Sequence, residues 1–192
     1  MRYRNLLFAT LAAAALGASA EESPATSRSM AFTAGGNIEI TLRVGDVEIV
    51  ASPDDKIAVS WKPVSRSDEI EVKLSKDGDR DASLHVNGPN DKVRYRIEVP
   101  SRSDLVVDMN AGALQVSGVS GSLKASLRAG DLTIRLPDPS AIRSVDLGVT
   151  TGGLSARPWK VDKGGIGRSF ETEGSGEFDL RAHVTAGQLT VR

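Results

Sequence analysis

From residue 31 to the end of the chain, the dominant pattern is apolar residues at every second position, which is the period of a strand with one face buried. Ile38, Ile40 and Leu42 alternate with Glu39 and Thr41, and Ile57, Val59 and Trp61 with Ala58 and Ser60. The pattern continues through Ile70, Val72 and Leu74, then through Val93, Tyr95, Ile97 and Val99. It returns at Leu105, Val107 and Met109, at Leu123, Ala125 and Leu127, at Val145, Leu147 and Val149, and at Phe178, Leu180, Ala182 and Val184. No segment beyond residue 30 keeps apolar residues at helical spacing for three turns. The sequence therefore predicts an all-β domain over residues 31–192 with almost no helix.

A short unit repeats within these strands: Gly, a variable residue, an apolar one, another variable one, then usually an apolar one. It occurs at Gly36–Ile40, Gly45–Ile49, Gly112–Val116, Gly121–Ala125 and Gly130–Ile134, with weaker copies at Gly152–Ala156, Gly176–Leu180 and Gly187–Val191. Positions 36 and 45, and then 112, 121 and 130, are nine apart. A nine-residue step is one short strand and a tight corner, and Gly at the corner tolerates a backbone that other residues resist. Gly121 and Gly130 are accordingly expected at positive φ. Units of this kind bury their apolar sides only against neighbours, which predicts a β-solenoid-like or β-helix-like stack for the C-terminal half. An antiparallel meander or sandwich is the alternative with similar strand spacing. The N-terminal half, with longer strands and a hairpin turn at Lys76-Asp77-Gly78-Asp79, is expected to form a β-sheet capping the stack.

The first twenty residues have the three parts of a secretory signal. Arg2 and Arg4 make a basic start, Leu6 to Gly17 form an apolar run, and Ala18-Ser19-Ala20 supplies the small residues of a cleavage site. Cleavage after Ala20 would open the mature chain at Glu21; an uncleaved N-terminal anchor is the alternative. Residues 21–30 are polar, contain Pro24, and read as a flexible leader. No Cys follows the apolar run, so no lipid-modified Cys tethers the chain, and no later stretch approaches the ~20 apolar residues of a membrane span. The expected address is the periplasm or the cell exterior. With no Cys anywhere, disulfides, thiol chemistry and Cys metal sites are excluded.

The formal charge of −1 moves to −3 when Arg2 and Arg4 leave with the signal, too near balance for a nucleic-acid partner. Aromatics at 4% against 19 Gly suit thin layers of packed strands better than a base-stacking surface or a deep ligand pocket.

The succession Tyr95-Arg-Ile-Glu-Val-Pro100, Leu105 to Val116, and Gly121 to Ile134 resembles the bacterial "putative adhesin" family, which is built on repeated Gly-x-Leu/Val-x-Ile/Val strands. The resemblance covers residues 31 to 192. It implies a right-handed β-helix-like fold on exported or envelope-associated proteins, and it brings no catalytic residues and no cofactor.

Chemistry-bearing motifs are few. His85 and His183 each lie between apolar strand residues and are expected on the polar face; neither accompanies a Gly-x-Ser-x-Gly or Ser-x-x-Lys motif. Asp77 to Asp81 has the acids of a calcium loop, but Ala82 and Gly88 stand where that loop needs Gly and Glu, so a hairpin tip is expected and no metal site. Asp46 and Asp131 follow corner glycines, where a turn hydrogen bond is their simplest role. The rhythm breaks at residues 157–169, where Arg157, Lys160, Lys163, Arg168 and Trp159 share a stretch with one Pro and three Gly. This reads as a loop. Trp159, Lys160, Lys163 and Arg168 are the candidate ligand contacts, a ring to stack and cations to meet anions. The alternative is that Trp159 plugs the stack.

These readings converge on a non-catalytic exported envelope or surface protein, an adhesin or scaffold that binds polymers or proteins through a repetitive β surface. Lys124 and Arg128 on one strand and Thr133 and Arg135 on the next exemplify its polar faces. A homo-oligomeric, self-assembling β-solenoid is the alternative, because open ends invite stacking. An envelope polysaccharide hydrolase, which would want clustered carboxylates, comes last.

Overall fold

The computed structural model describes residues 26–62, 70–78, 80–88 and 93–192. The signal segment 1–20, residues 21–25 of the leader, and Asp79 of the calcium-like segment lie outside them. The described strands are β1 (Thr26–Ala31), β2 (Asn37–Ser52), β3 (Lys56–Lys62), β4 (Glu71–Asp77), β5 (Asp81–Asn87), β6 (Arg94–Pro100), β7 (Asp104–Ser117), β8 (Leu123–Arg135), β9 (Ile142–Ala156), β10 (Val161–Glu173) and β11 (Phe178–Val191). The described helical structure is two single 3₁₀ turns, Pro139–Ala141 and Arg157–Trp159. No described helix is long and apolar enough to cross a membrane.

All eleven strands form one sheet, in the order β1-β3-β6-β2-β7-β8-β11-β9-β10 with β5 and β4 joined to β2. Its centre is parallel and in register: β2, β7, β8, β11 and β9 align Leu105 with Leu123, Leu123 with Leu180 and Leu180 with Val145. The repeat is thus longer than the five-residue unit. Ile38–Ile49, Leu105–Val116, Leu123–Ile134, Val145–Ala156 and Leu180–Val191 are five copies of one twelve-residue pattern, three alternating apolar positions, a Gly, then two more apolar positions.

The glycines of these copies stack in register: Gly45 on Gly112, Gly112 on Gly130, Gly130 on Gly187, Gly187 on Gly152. Gly112, Gly130, Gly187 and Gly152 have φ between +124° and +139°. A Cβ at Gly112 would sit on the Gly45 carbonyl oxygen, at Gly130 on that of Gly112, at Gly187 on that of Gly130, and at Gly152 on that of Gly187. Across this column the buried set changes parity. Leu123, Ala125 and Leu127 are buried before it and Leu132 and Ile134 after it, and β7, β11 and β9 repeat the switch. Each long strand therefore bends at its Gly and keeps a core-facing side on both arms.

The two arms of β2 continue separately at its N-terminal edge. The first arm pairs with β5, which pairs with β4, and the second with β6, then β3 and β1. Antiparallel pairs thus flank the parallel centre on both sides, through β4–β5, β3–β6 and β1–β3 at one end and β9–β10 at the other. One continuous hydrophobic cluster fills the interior, with Phe32, Ile40, Ile49, Ile97, Leu105, Leu127 and Leu132 at most 2% exposed.

Three expectations are corrected here. Thr26–Met30, read as part of a flexible leader, belongs to strand β1; its side chains are mostly exposed, so no alternation announces it, and it is held by backbone pairing with β3 and by the Arg28 guanidinium, which donates to the Val72 carbonyl at 2.7 Å. Residues 157–169 are not a loop but a 3₁₀ turn and most of β10, an edge strand whose one free side relaxes the apolar pattern. The strand order does not follow the chain: β11, the last strand in sequence, lies between β8 and β9. Gly130 has positive φ but Gly121 does not; Gly121 is needed because a Cβ there would meet the Ser103 carbonyl oxygen.

Gly130→Ala should lower stability by at least about 2 kcal/mol in denaturant unfolding, from positive φ and the approach to Gly112. Gly164→Ala, which faces open space at an ordinary φ, should stay within about 0.5 kcal/mol.

Candidate binding surface

The hairpin of β9 and β10 carries the four residues singled out in the sequence. After Ala156 the chain makes the 3₁₀ turn Arg157–Trp159, and Lys160 closes it in the left-handed region (φ 57°, ψ 34°) with its amide donating to the Arg157 carbonyl at 3.0 Å. Trp159 is partly buried against the central cluster and stacks on Phe170 with ring centroids 6.0 Å apart and planes inclined by 39°. It is neither a fully enclosed plug nor a free platform. Lys160 is exposed beside it.

Register decides where Lys163 and Arg168 lie. Lys163 stands opposite Leu154 and Arg168 opposite Val149, both buried core residues, and directly opposed residues share one face of a sheet. Val161 and Phe170, opposite Ala156 and Leu147, occupy core-facing positions too. The two cations therefore sit on the core side of the edge strand β10, where both remain exposed. The Lys163 Nζ donates to the Ser169 carbonyl at 2.8 Å, and the Arg168 Nε to the Gly164 carbonyl at 2.8 Å. Six residues of straight strand span about 20 Å, beyond a lysine's reach, so the Lys163–Ser169 bond also marks the bend of β10. Inward-pointing charge on an edge strand opposes the addition of a further strand. The structure places Trp159 and Lys160 together at the turn, and gives Lys163 and Arg168 to the edge.

The outer face of the second arms, unseen in the sequence, is organised in rows across many strands. One row runs Lys62, Arg94, Asp46, Ala113, Asp131; the next runs Ser60, Arg96, Glu48, Gln115, Thr133. Short Ala113 leaves a trough of about 470 Å³ between longer neighbours, among them Asp46, Arg94, Glu48, Gln115 and Asp131. Arg96 crosses it, bonded to Glu48 at 2.7 Å and Glu98 at 3.2 Å; these carboxylates, Glu98 first, hold its guanidinium above its ordinary pKa. Asp46 and Asp131 are exposed and make no turn hydrogen bond, contrary to their expected role, because they stand on a strand face beyond the bend. Likewise Lys124, Arg128, Thr133 and Arg135 all belong to β8, and the bend at Gly130 separates the first two from the last two.

His85 and His183 are exposed between buried neighbours, as the alternation predicts. Four strand steps separate them, about 19 Å. The Asp81 carboxylate accepts a bond from Asn37 at 2.8 Å across β5 and β2. Among the described residues no group of three His, Asp or Glu could hold a metal ion. At the β9–β11 rim, Arg143 hydrogen-bonds the Asp179 carboxylate at 2.8 Å and lowers its pKa; that contact stabilises the fold above the ordinary carboxylate range and is lost on acidification.

No protein-family model matches the chain. No curated protein matches it either. Three solved structures align over most of it. A "putative cell adhesion protein" from Clostridium sporogenes is 12% identical over 88% of this chain and 99% of its own, with a TM-score of 0.48. A "putative adhesin" from Parabacteroides distasonis is 12% identical over 88% and 71%, with a TM-score of 0.31. A "putative adhesin" from Bacteroides fragilis is 10% identical over 89% and 98%, with a TM-score of 0.33. Similarity at that level transfers no function to this chain.

Trp159→Ala should cost about 2 kcal/mol, between a buried and an exposed Trp, and in a Trp61→Phe background the Trp159 emission should be only partly accessible to quencher. Replacing Lys163 and Arg168 together by Val should leave the sheet intact and produce concentration-dependent self-association in sedimentation, which the parent chain should not show under the same conditions.

Proposed function

We propose that this protein is a non-enzymatic, exported envelope or surface protein, a short β-solenoid-like stack that holds polymer or protein partners against its outer faces. The observation that supports this reading most directly is the shared register of β2, β7, β8, β11 and β9. Register converts one strand's polar positions into rows across the sheet, repeating about every 4.8 Å. A regular comb of side chains suits a repetitive partner, because each weak contact raises the effective concentration for the next. The described surface offers an open trough and exposed rows rather than an enclosed pocket with convergent titratable groups.

The experiment has two parts. N-terminal sequencing of protein recovered from its host should begin at Glu21 in the envelope or external fraction. Purified mature chain should then be retained on isolated envelope material more strongly when immobilised at high density than when free, as multivalent binding requires. Retention that is absent at every density, or unchanged by density, contradicts the reading.

A further inference from the structure

At the far end of the second-arm face, three arginines fall at the ends of three adjacent strands. Thr133, Thr190 and Ser155 are in register on β8, β11 and β9, as are the buried Ile134, Val191 and Ala156 that follow. The next residue in sequence is in each case an arginine: Arg135, the last residue of β8, Arg192, directly after β11, and Arg157, which opens the 3₁₀ turn directly after β9. Backbone pairing continues to this level, with the Arg192 amide donating to Ile134 at 2.9 Å and the Leu136 amide to Arg192 at 3.0 Å. All three arginines are exposed, and Lys160 extends the same end.

Like charges on neighbouring strands repel, and several exposed cations elsewhere in the sheet are compensated by a carboxylate. Arg96 is paired with Glu48 and Glu98, Arg143 with Asp179, Lys56 with Asp54 and Lys73 with Glu71. Among the described residues no carboxylate side chain forms an ion pair with the three arginines of this row. Asp131 on β8 and Asp162, opposite Ser155 on β10, form no ion pair with them. Beside the arginines lies a row of hydroxyls, Thr133, Thr190 and Ser155, which add neutral donors at the same spacing. Guanidinium forks match carboxylate and phosphate geometry in a bidentate way.

We propose that Arg135, Arg192 and Arg157, with Thr133, Thr190 and Ser155 beside them, form a site for a linear polyanion, a polymer with closely spaced carboxylate or phosphate groups lying across β8, β11 and β9. The site rests on the reading of the outer face as polymer-binding and names the chemistry of the polymer.

The test uses the full mature chain with polygalacturonate for carboxylate, inorganic polyphosphate for phosphate, and dextran as the neutral control. The chain should bind at least one polyanion at low salt, lose most of that binding at about 0.3 M salt, and ignore dextran. The triple variant Arg135→Gln, Arg157→Gln, Arg192→Gln should bind at least about tenfold more weakly, with an unchanged or raised Tm because repulsion is relieved. Lys73→Gln, which removes a paired cation at the opposite end of the sheet, should bind as the parent does. Equal binding by the triple variant and the parent overturns the proposal. A parent chain held by envelope material but by neither polyanion also overturns it while leaving the adhesive reading intact.

Discussion

The structure depends on one close approach, the packing of glycine backbone on glycine backbone along the bend. At Gly112, Gly130, Gly187 and Gly152 the Cβ that the column lacks would sit on the carbonyl oxygen of the glycine in the neighbouring strand. Side chains cannot be accommodated there by a rotamer change, since the obstruction is main chain. Two consequences follow together. Five strands turn at the same level, and their register is fixed, because sliding one strand by a residue would put a side chain into the column and reverse every inward position. The hydrophobic cluster and the outer rows both inherit their order from that alignment.

A parallel, in-register stack has ends, and the chain treats them as it treats its centre, through backbone pairing. Antiparallel strands close both sides, and the edge strand β10 carries exposed Lys163 and Arg168 on its core-side face while Trp159 and Phe170 pack nearby. The insertion of β11 between β8 and β9 has a kinetic implication. A strand that comes last in the chain completes the pairing of two earlier ones, so the β8–β9 gap closes only when the C-terminal segment arrives. Its inward residues Leu180, Ala182, Val184, Leu189 and Val191 are at most 4% exposed, so arrival buries the apolar sides of its neighbours as well.

Much of this was legible in the sequence for a simple reason: alternation reports local burial, and burial here is local to each strand. The strands, the corner glycines, the outward histidines and the scarcity of helix all follow from it. What could not be read are the partners of each strand. Five identical patterns pair equally well in several orders, so nothing in Leu180–Val191 declares that it sits beside Leu123–Ile134. The same degeneracy hid the arginine row, whose members lie at positions 135, 157 and 192. The offset of eighteen residues between Leu105 and Leu123 was the signal that could have revealed the full twelve-residue unit. Edge strands misled in the opposite sense: β1 and β10 lack alternation because one side of each meets solvent, and composition alone made them a leader and a loop.

The central claim is that register across β8, β11 and β9 creates the surface on which function is proposed, and engineered disulfides test it directly in a chain that has no cysteine of its own. Lys124 and Asp146 both pair with Arg181, each within the ~4.4–6.8 Å between Cα atoms that a disulfide requires, whereas Lys124 and Asp146 stand two strands apart at about 10 Å. Under mild oxidation, Lys124→Cys with Arg181→Cys and Arg181→Cys with Asp146→Cys should each close an intramolecular disulfide in the folded chain, and Lys124→Cys with Asp146→Cys should not. Rapid closure of the Lys124–Asp146 pair, with the other two remaining open, would place β9 directly on β8 and contradict the account.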